Sequence, residues 1–202
     1  MKIYETAPTP SAKRVSLFLA EKGITVDRTQ INVRQGDNLT EAFKALSVNG
    51  RIPVLELDNG TTICESVAIC RYFEELYPDK APLFGATAIE KAQVEMWQRV
   101  VELQGLLVAF QAFRNISEIY SDREHCVGAW GEESRNRLIA FLPTLDLQLS
   151  KHSFVAGEHF SIADITAFIL IGFLKNLDID LADELTHISV WRDKIATRPA
   201  FQ

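Results

Sequence analysis

Three scarcities narrow this sequence before any motif is read. Cys64, Cys70 and Cys126 are the only cysteines among 202 residues, and they form no C-x-x-C pair. That argues against a disulfide framework or a dithiol redox centre and suits reduced thiols in a reducing compartment. The simplest role for each is that of a small buried hydrophobe. Basic charge is also scarce: 21 Lys and Arg stand against 27 Asp and Glu, for a net charge of −6. No basic run tracks phosphates, so nucleic acid is not an expected partner. Long apolar runs are missing too. The longest, Ile165 to Leu174, reaches about half of a bilayer, and Met1-Lys2-Ile3-Tyr4 lacks the charged-then-apolar pattern of a secretory signal. The expectation is a cytoplasmic protein with no membrane partner. His125, His152, His159 and His187 have no metal-ligand spacing, so no metal site is expected and surface or capping roles are assigned to all four.

What is present organises into two parts. Residues 1–76 alternate between strand and helix patterns, the signature of an α/β unit. Lys2–Glu5 reads as a strand, and Ser11–Lys22 as a helix stopped by Gly23. Thr25–Ile31 reads as a second strand and Leu39–Leu46 as a short helix. Ile52–Leu57 and Thr61–Cys64 flank Asp58-Asn59-Gly60 as a hairpin, and Ser66–Tyr77 returns to helix. Residues 77–86 carry two prolines and a glycine, the composition of a linker. From Thr87 to Gln202 no strand pattern survives, and helices are expected over Thr87–Tyr120, Glu124–Ser150, Ile162–Leu174 and Ile188–Arg198. No internal repeat interrupts this reading.

Two local features carry chemistry. In Arg51-Ile52-Pro53-Val54 a proline opens a strand pattern. Because it cannot donate a ladder hydrogen bond, it belongs at an edge, at a strand start or in a cis turn. Glu65-Ser66 follows the hairpin and opens a helix, where free amides, a hydroxyl and the positive helix terminus suit a carboxylate; a plain N-cap is the alternative. Ser161-Ile162-Ala163-Asp164 fits a capping box, flanked by Phe160 and Ile165 as a hydrophobic staple, and its expected role is folding.

Taken together, N-G-R-I-P-V-L-E-L-D-N-G, E-S-V-A-I-C-R-Y-F, the linker and F-S-I-A-D-I resemble the glutathione transferase superfamily over essentially the whole chain. The resemblance implies a thioredoxin-like N-terminal domain, an all-α C-terminal helical bundle, glutathione as co-substrate and a homodimer. It further implies that Pro53 is cis, that the Ile52 backbone binds the cysteinyl part of glutathione, and that Glu65 with Ser66 binds the γ-glutamyl end. Arg51 stands where its cation would meet the glycyl carboxylate, or else is solvated. Glu102 is a candidate for reaching a partner subunit's glutathione, against a solvated helix face.

Thr9-Pro10-Ser11-Ala12 stands where thioredoxin and glutaredoxin relatives carry C-P-x-C, so glutathione would supply the sulfur. The chain would stabilise its thiolate from a helix N-terminus, and each tenfold gain in thiolate corresponds to about 1.4 kcal/mol. Thr9 takes the place of the attacking cysteine and is the first candidate donor, with Ser11 the second. A-P-T-P resembles Nu-class members, which favour disulfide chemistry and continue with Asn at position 11. Tau- and Omega-class relatives place Ser or Cys at position 9, while the downstream half resembles bacterial and fungal transferases with an atypical activating residue. Tyr4 is read as a packing or edge residue. Phe110 and Phe113, with Tyr120 on the same stripe, are candidates to line the pocket for a second substrate, Arg114 and Asn115 supplying polar edges. Atypical fungal relatives have histidine near these two positions, and this chain does not. The activity implied is attack of glutathione thiolate on an electrophile or peroxide. Disulfide exchange and non-catalytic glutathione binding remain open beside it.

Overall fold

In the computed structural model, which describes residues 1–202, the alternating N-terminal pattern forms a four-stranded sheet. Strands β1 (Lys2–Glu5), β2 (Asp27–Gln30), β3 (Val54–Glu56) and β4 (Thr62–Cys64) lie in the order β2-β1-β3-β4. β1 runs parallel to β2 and antiparallel to β3, and β3 runs antiparallel to β4. Helix α1 (Pro10–Glu21) starts with proline at its first position, where the missing N–H costs nothing. It stops where Gly23 takes φ +61°, the left-handed conformation that glycine adopts without a Cβ penalty. The hairpin closes through Gly60 at φ +82°, with the Leu57 amide donating to Thr61 at 2.8 Å.

Three N-terminal elements are clearly shorter than the sequence pattern predicts, the first of them β2, which spans only Asp27–Gln30 of the expected Thr25–Ile31. The β3 ladder begins at Val54, because Pro53 has no N–H and follows a cis bond. The expected helix over Leu39–Leu46 becomes a 3₁₀ turn, Asp37–Leu39, and one helical turn, α2 (Glu41–Lys44). Thr40 between them is extended, and its hydroxyl accepts from the Phe43 amide as an N-cap. Helix α3 (Ser66–Leu76) packs against α1 and buries Ile69, Cys70 and Phe73. At the far end of the α1–α3 pair a buried ion pair joins Lys22 Nζ to Glu74 at 2.7 Å, and the same ammonium donates to the Ala81 carbonyl at 2.9 Å.

The chain divides into two compact units, Met1–Pro82 and Leu83–Gln202. The second is helical: α4 (Ala88–Val100), α5 (Leu107–Ser117), α6 (Gly128–Leu149), α7 (Ile162–Phe173) and α8 (Thr186–Ala196). The single helix expected over Thr87–Tyr120 is divided by a π-helical turn, Val101–Leu106. Gly105 sits in that turn, and a Cβ there would come within 2.5 Å of Leu170 on α7, so the close approach of α7 depends on glycine. Glu118 at φ +53° then ends α5, leaving Tyr120 outside the helix. α6 starts at Gly128 rather than Glu124. α7 is buried nearly all round, from Ile162 through Ala167 and again from Ile169 to Ile171. No helix is long and apolar enough to cross a membrane.

The box at the start of α7 forms as the sequence predicts, with both reciprocal bonds present. Asp164 does more than cap. Its carboxylate accepts from the Ser161 amide at 3.0 Å and from the Ser161 hydroxyl at 3.2 Å. It also accepts at 2.9 Å from both the Val155 amide and Trp191 Nε1 on α8. α8 has no cap of its own, so Asp146 of α6 supplies one, accepting from the Ile188 amide at 2.9 Å and binding His187 Nδ1 at 2.8 Å.

Candidate functional site

Strand register alone brings the sequence-predicted N-terminal residues to one end of the sheet. Tyr4 pairs with Val54, and Val54 pairs with Cys64. The exit of β1, the entry of β3 and the exit of β4 therefore share an edge. Beyond that edge lie Thr9 and Ser11, then Ile52 and Pro53, then Glu65 and Ser66. Two helices, α1 and α3, begin there, each presenting amides outside its own ladder and a partial positive charge.

The middle of the edge is the cis Ile52–Pro53 bond. Because β3 starts only at Val54, the Ile52 amide and carbonyl stand outside the sheet ladder. The loop before them is self-braced. Ser47 Oγ donates to the Arg51 carbonyl at 2.9 Å and accepts from the Arg51 amide at 3.0 Å, and Asn49 Oδ1 accepts from the same amide at 3.0 Å. Backbone position is thus fixed at Arg51, while its side chain is exposed.

At the exit of β4 Glu65, not Ser66, is the cap residue of α3, and it holds φ +69° and ψ +118°, a strained conformation for a non-glycine. Its side chain makes no capping bond. Asn49 Nδ2 instead donates to Glu65 Oε1 at 2.9 Å, tying the cap to the Arg51–Pro53 loop. Ser66 is the first helical residue and is buried. The first ladder bond of α3 runs from the Ile69 amide to the Glu65 carbonyl, which leaves the Ser66, Val67 and Ala68 amides facing out of the helix start.

At the start of α1, Thr9 is the N-cap by backbone, yet its hydroxyl points backwards and donates to the Thr6 carbonyl at 2.8 Å. The first ladder bond is Lys13 N–H to Thr9 C=O. Since Pro10 has no N–H, the amides of Ser11 and Ala12 are the free donors here. Ser11 Oγ makes no hydrogen bond within the chain and is half-buried. Tyr4 is committed elsewhere: its hydroxyl donates to Glu56 Oε2 on β3 at 2.7 Å, and that bond, reinforced by burial, raises the phenol above its ordinary range.

None of the three thiols is presented as a nucleophile. Cys70 is fully buried in α3, and burial pushes its thiol far up. Cys64 Sγ lies against the Leu46 carbonyl at 3.9 Å, and Cys126 Sγ against the Glu124 carbonyl at 3.7 Å. No cluster of three His, Cys, Asp or Glu side chains has metal-binding geometry.

In the helical unit, Phe110 and Phe113 meet the Phe173 ring edge-on, each at 5.4 Å between centroids. Phe113 also lines a groove of about 270 Å³ with Ile116 and Leu177. Tyr120 leaves the expected stripe and lies beneath the guanidinium groups of Arg114 and Arg123, at 5.1 and 5.7 Å. Arg114 is further paired with Glu124, and Asn115 is spent on the Val127 amide and the Gln111 carbonyl. Both expected polar edges are therefore held internally. Glu102, in the π turn, lies 3.7 Å from Arg99.

Residues that the sequence reading passed over include Ser47 and Asn49, which brace the loop, and Arg14. Arg14 is only 3% exposed, and its Nη1 donates to Ser66 Oγ at 2.8 Å. One signal was available: Arg14 lies one turn before Phe18, a cation on the apolar stripe of α1.

Residues 9–76 match the family "Glutathione S-transferase, N-terminal domain", and residues 129–199 match "Glutathione S-transferase, C-terminal domain". Glutathione S-transferase 2 of Saccharomyces cerevisiae is 31% identical over 210 residues, covering 99% of this chain and 87% of that protein. The chain belongs to the glutathione S-transferase superfamily. Its N-terminal unit is the thioredoxin-like half of that fold and its C-terminal unit the all-helical half. Among solved structures, a Gtt2-class glutathione S-transferase of Vibrio parahaemolyticus is 54% identical. It covers all of this chain and 96% of its own, with a TM-score of 0.89. Gtt2 of Saccharomyces cerevisiae is 31% identical and covers 100% and 98%, with a TM-score of 0.92.

Proposed function

We propose that the protein is a glutathione transferase that directs the thiolate of bound glutathione at an electrophilic carbon or a peroxide oxygen. The convergence of two helix N-termini and an unpaired Ile52 backbone at one sheet edge carries this reading. Glutathione is an extended peptide with a carboxylate at each end. The Ile52 amide and carbonyl offer it a two-bond strand pairing at the cysteinyl residue. The α3 start, with Ser66 and Glu65, receives the γ-glutamyl end, where amides and hydroxyl meet the carboxylate and the Glu65 carboxylate meets the ammonium. Arg51 meets the glycyl carboxylate. The sulfur then falls to the start of α1.

There the chain's work is electrostatic. The Ser11 and Ala12 amides, the helix terminus and a hydroxyl lower the cost of the thiolate. Thr9 and Ser11 are the two hydroxyls in reach of that role, and Ser11 is the one with its proton uncommitted. In conjugation the sulfur lone pair forms a C–S bond while the leaving group departs with its electron pair. In peroxide reduction the sulfur takes one oxygen as the O–O bond breaks, and a second glutathione releases it as water with formation of the disulfide. Phe110, Phe113 and Arg114 are the residues proposed for the second substrate, the aromatic pair supplying apolar surface. The setting proposed is detoxification in the cytoplasm, by a homodimer. Ile89, Met96, Leu103 and Leu107 support self-association: they are 69, 52, 50 and 41% exposed at spacings of seven, seven and four along α4 to α5.

The test is calorimetric titration with glutathione, followed by turnover on an activated aryl halide, an organic hydroperoxide and a glutathione-capped disulfide. Binding with turnover on either of the first two supports the proposal. Turnover on the disulfide alone replaces it with thiol–disulfide exchange, and binding without any turnover makes the protein a glutathione binder. Absence of binding sinks the reading altogether.

A further inference from the structure

Burying a guanidinium costs several kcal/mol, and a chain recovers that only through hydrogen bonds and opposite charge. Arg14 is buried between α1 and α3, and what it does there is directional. A guanidinium only donates and stays charged at any physiological pH. Its Nη1–H therefore occupies a lone pair of Ser66 Oγ, 2.8 Å away. Ser66 makes no other side-chain bond, so its own proton is left to donate, beside the three amides that stand outside the α3 ladder. A hydroxyl unconstrained in this way would be free to accept or donate. With a cation behind it, this one donates, and polarisation by the guanidinium strengthens it as a donor.

We propose that Arg14 is a positioning residue for the γ-glutamyl carboxylate of glutathione, acting through Ser66 by turning its hydroxyl into a dedicated outward donor. The inference rests on the assignment of Ser66 to that carboxylate and adds what the assignment lacks, a reason for the hydroxyl's direction.

The experiment is a double-mutant cycle on the full chain, read by calorimetric titration with glutathione and with an analogue whose γ-glutamyl carboxylate is replaced by hydrogen. Arg14→Gln offers Ser66 an acceptor as well as a donor and is expected to raise the glutathione Kd about tenfold. Arg14→Lys keeps a donor-only cation and should recover part of that loss. On a Ser66→Ala background, and with the carboxylate-free analogue, Arg14→Gln should change affinity by less than about twofold. The same tenfold loss on Ser66→Ala, or with the analogue, would show that Arg14 merely supports the fold and would overturn the proposal. If instead wild-type protein binds the analogue as tightly as glutathione and Ser66→Ala binds glutathione normally, the Ser66 assignment itself has failed. Should Arg14→Gln not fold, Arg14→Lys against wild type, titrated with both ligands, gives the same comparison: a loss confined to glutathione supports the role, and an equal loss with both overturns it.

Discussion

Trp191 Nε1 on α8 donates to Asp164 Oδ1 on α7 at 2.9 Å, so the carboxylate that caps one helix also bolts it to another. With the Ser161 and Val155 bonds, one buried side chain serves three segments of the helical unit. Asp164→Ala strips buried donors of their acceptor, and each such loss costs about 1 to 3 kcal/mol. The expected destabilisation is about 3 kcal/mol or more by urea denaturation, beyond the 0.5 to 2 kcal/mol of an ordinary cap. Trp191→Phe should lose about 1 kcal/mol. A midpoint unchanged in either variant would show that the network does not contribute.

The same carboxylate makes stability depend on pH in an unusual direction. Burial pushes Asp164 up to about 6, against the hydrogen bonds from Val155, Trp191 and Ser161, which hold it down. A folded value above the unfolded one means that the native state binds this proton more tightly. The contribution is therefore fully present below about pH 4, the ordinary value of the unfolded chain, and is lost as pH rises through about 6. Asp164→Asn cannot titrate. Relative to that variant, wild type should be at its best near pH 4 and lose ground by pH 7. A difference in denaturation midpoint that stays constant over this window would contradict the account.

Thiol activation separates the two hydroxyls at the start of α1. The position of the redox relatives' cysteine points to Thr9, but Thr9 donates to the Thr6 carbonyl, whereas Ser11 is uncommitted. Ser11→Ala is expected to reduce the thiolate fraction of bound glutathione near neutral pH about tenfold, or about 1.4 kcal/mol. Thr9→Val should move it less, and glutathione affinity should change less than turnover in both. Ultraviolet titration of the bound thiolate decides the matter: a larger shift in Thr9→Val restores Thr9, and no shift in either leaves the amides and helix terminus as the only activators.

Tyr4 offers a negative control inside the same sheet. Its hydroxyl is bonded to Glu56 and its phenol is held above the ordinary range, which leaves it unsuited to supply a proton or a phenolate at neutral pH. Tyr4→Phe should lower stability by about 1 kcal/mol and leave kcat/KM within about twofold. A loss of activity beyond tenfold with stability unchanged would place Tyr4 in the chemistry.

For the homodimer, light scattering at micromolar concentration should report twice the 22.7 kDa chain mass. Met96→Asp, on the exposed apolar line of α4, should lower that mass towards the monomer. A monomeric wild type, or a Met96→Asp variant that keeps the full dimer mass, would remove this line from the interface.

Local chemistry made much of the molecule legible from sequence alone. β1 matches its predicted residues, Gly23 stops α1 and Asp58-Asn59-Gly60 closes the hairpin. Ser161 and Asp164 cap α7, because those signals act within a few residues of one another. What long-range packing decided was not legible. Position 105, in the π turn, has to be glycine because α7 passes too close for a Cβ, Asp146 caps a helix some forty residues away, and Glu118 ends α5 in a left-handed conformation that its residue type does not announce. The candidate site divides along the same line. Strand-start and helix-start chemistry marked Ile52, Pro53, Glu65 and Ser66, and the family resemblance marked Thr9 and Ser11, but the pairing of Tyr4 with Val54 and of Val54 with Cys64 brought them to one edge. The direction of each hydroxyl was set by partners distant in sequence or turned backwards along it, Arg14 for Ser66 and the Thr6 carbonyl for Thr9, because a hydroxyl takes its orientation from whichever donors and acceptors the fold places beside it.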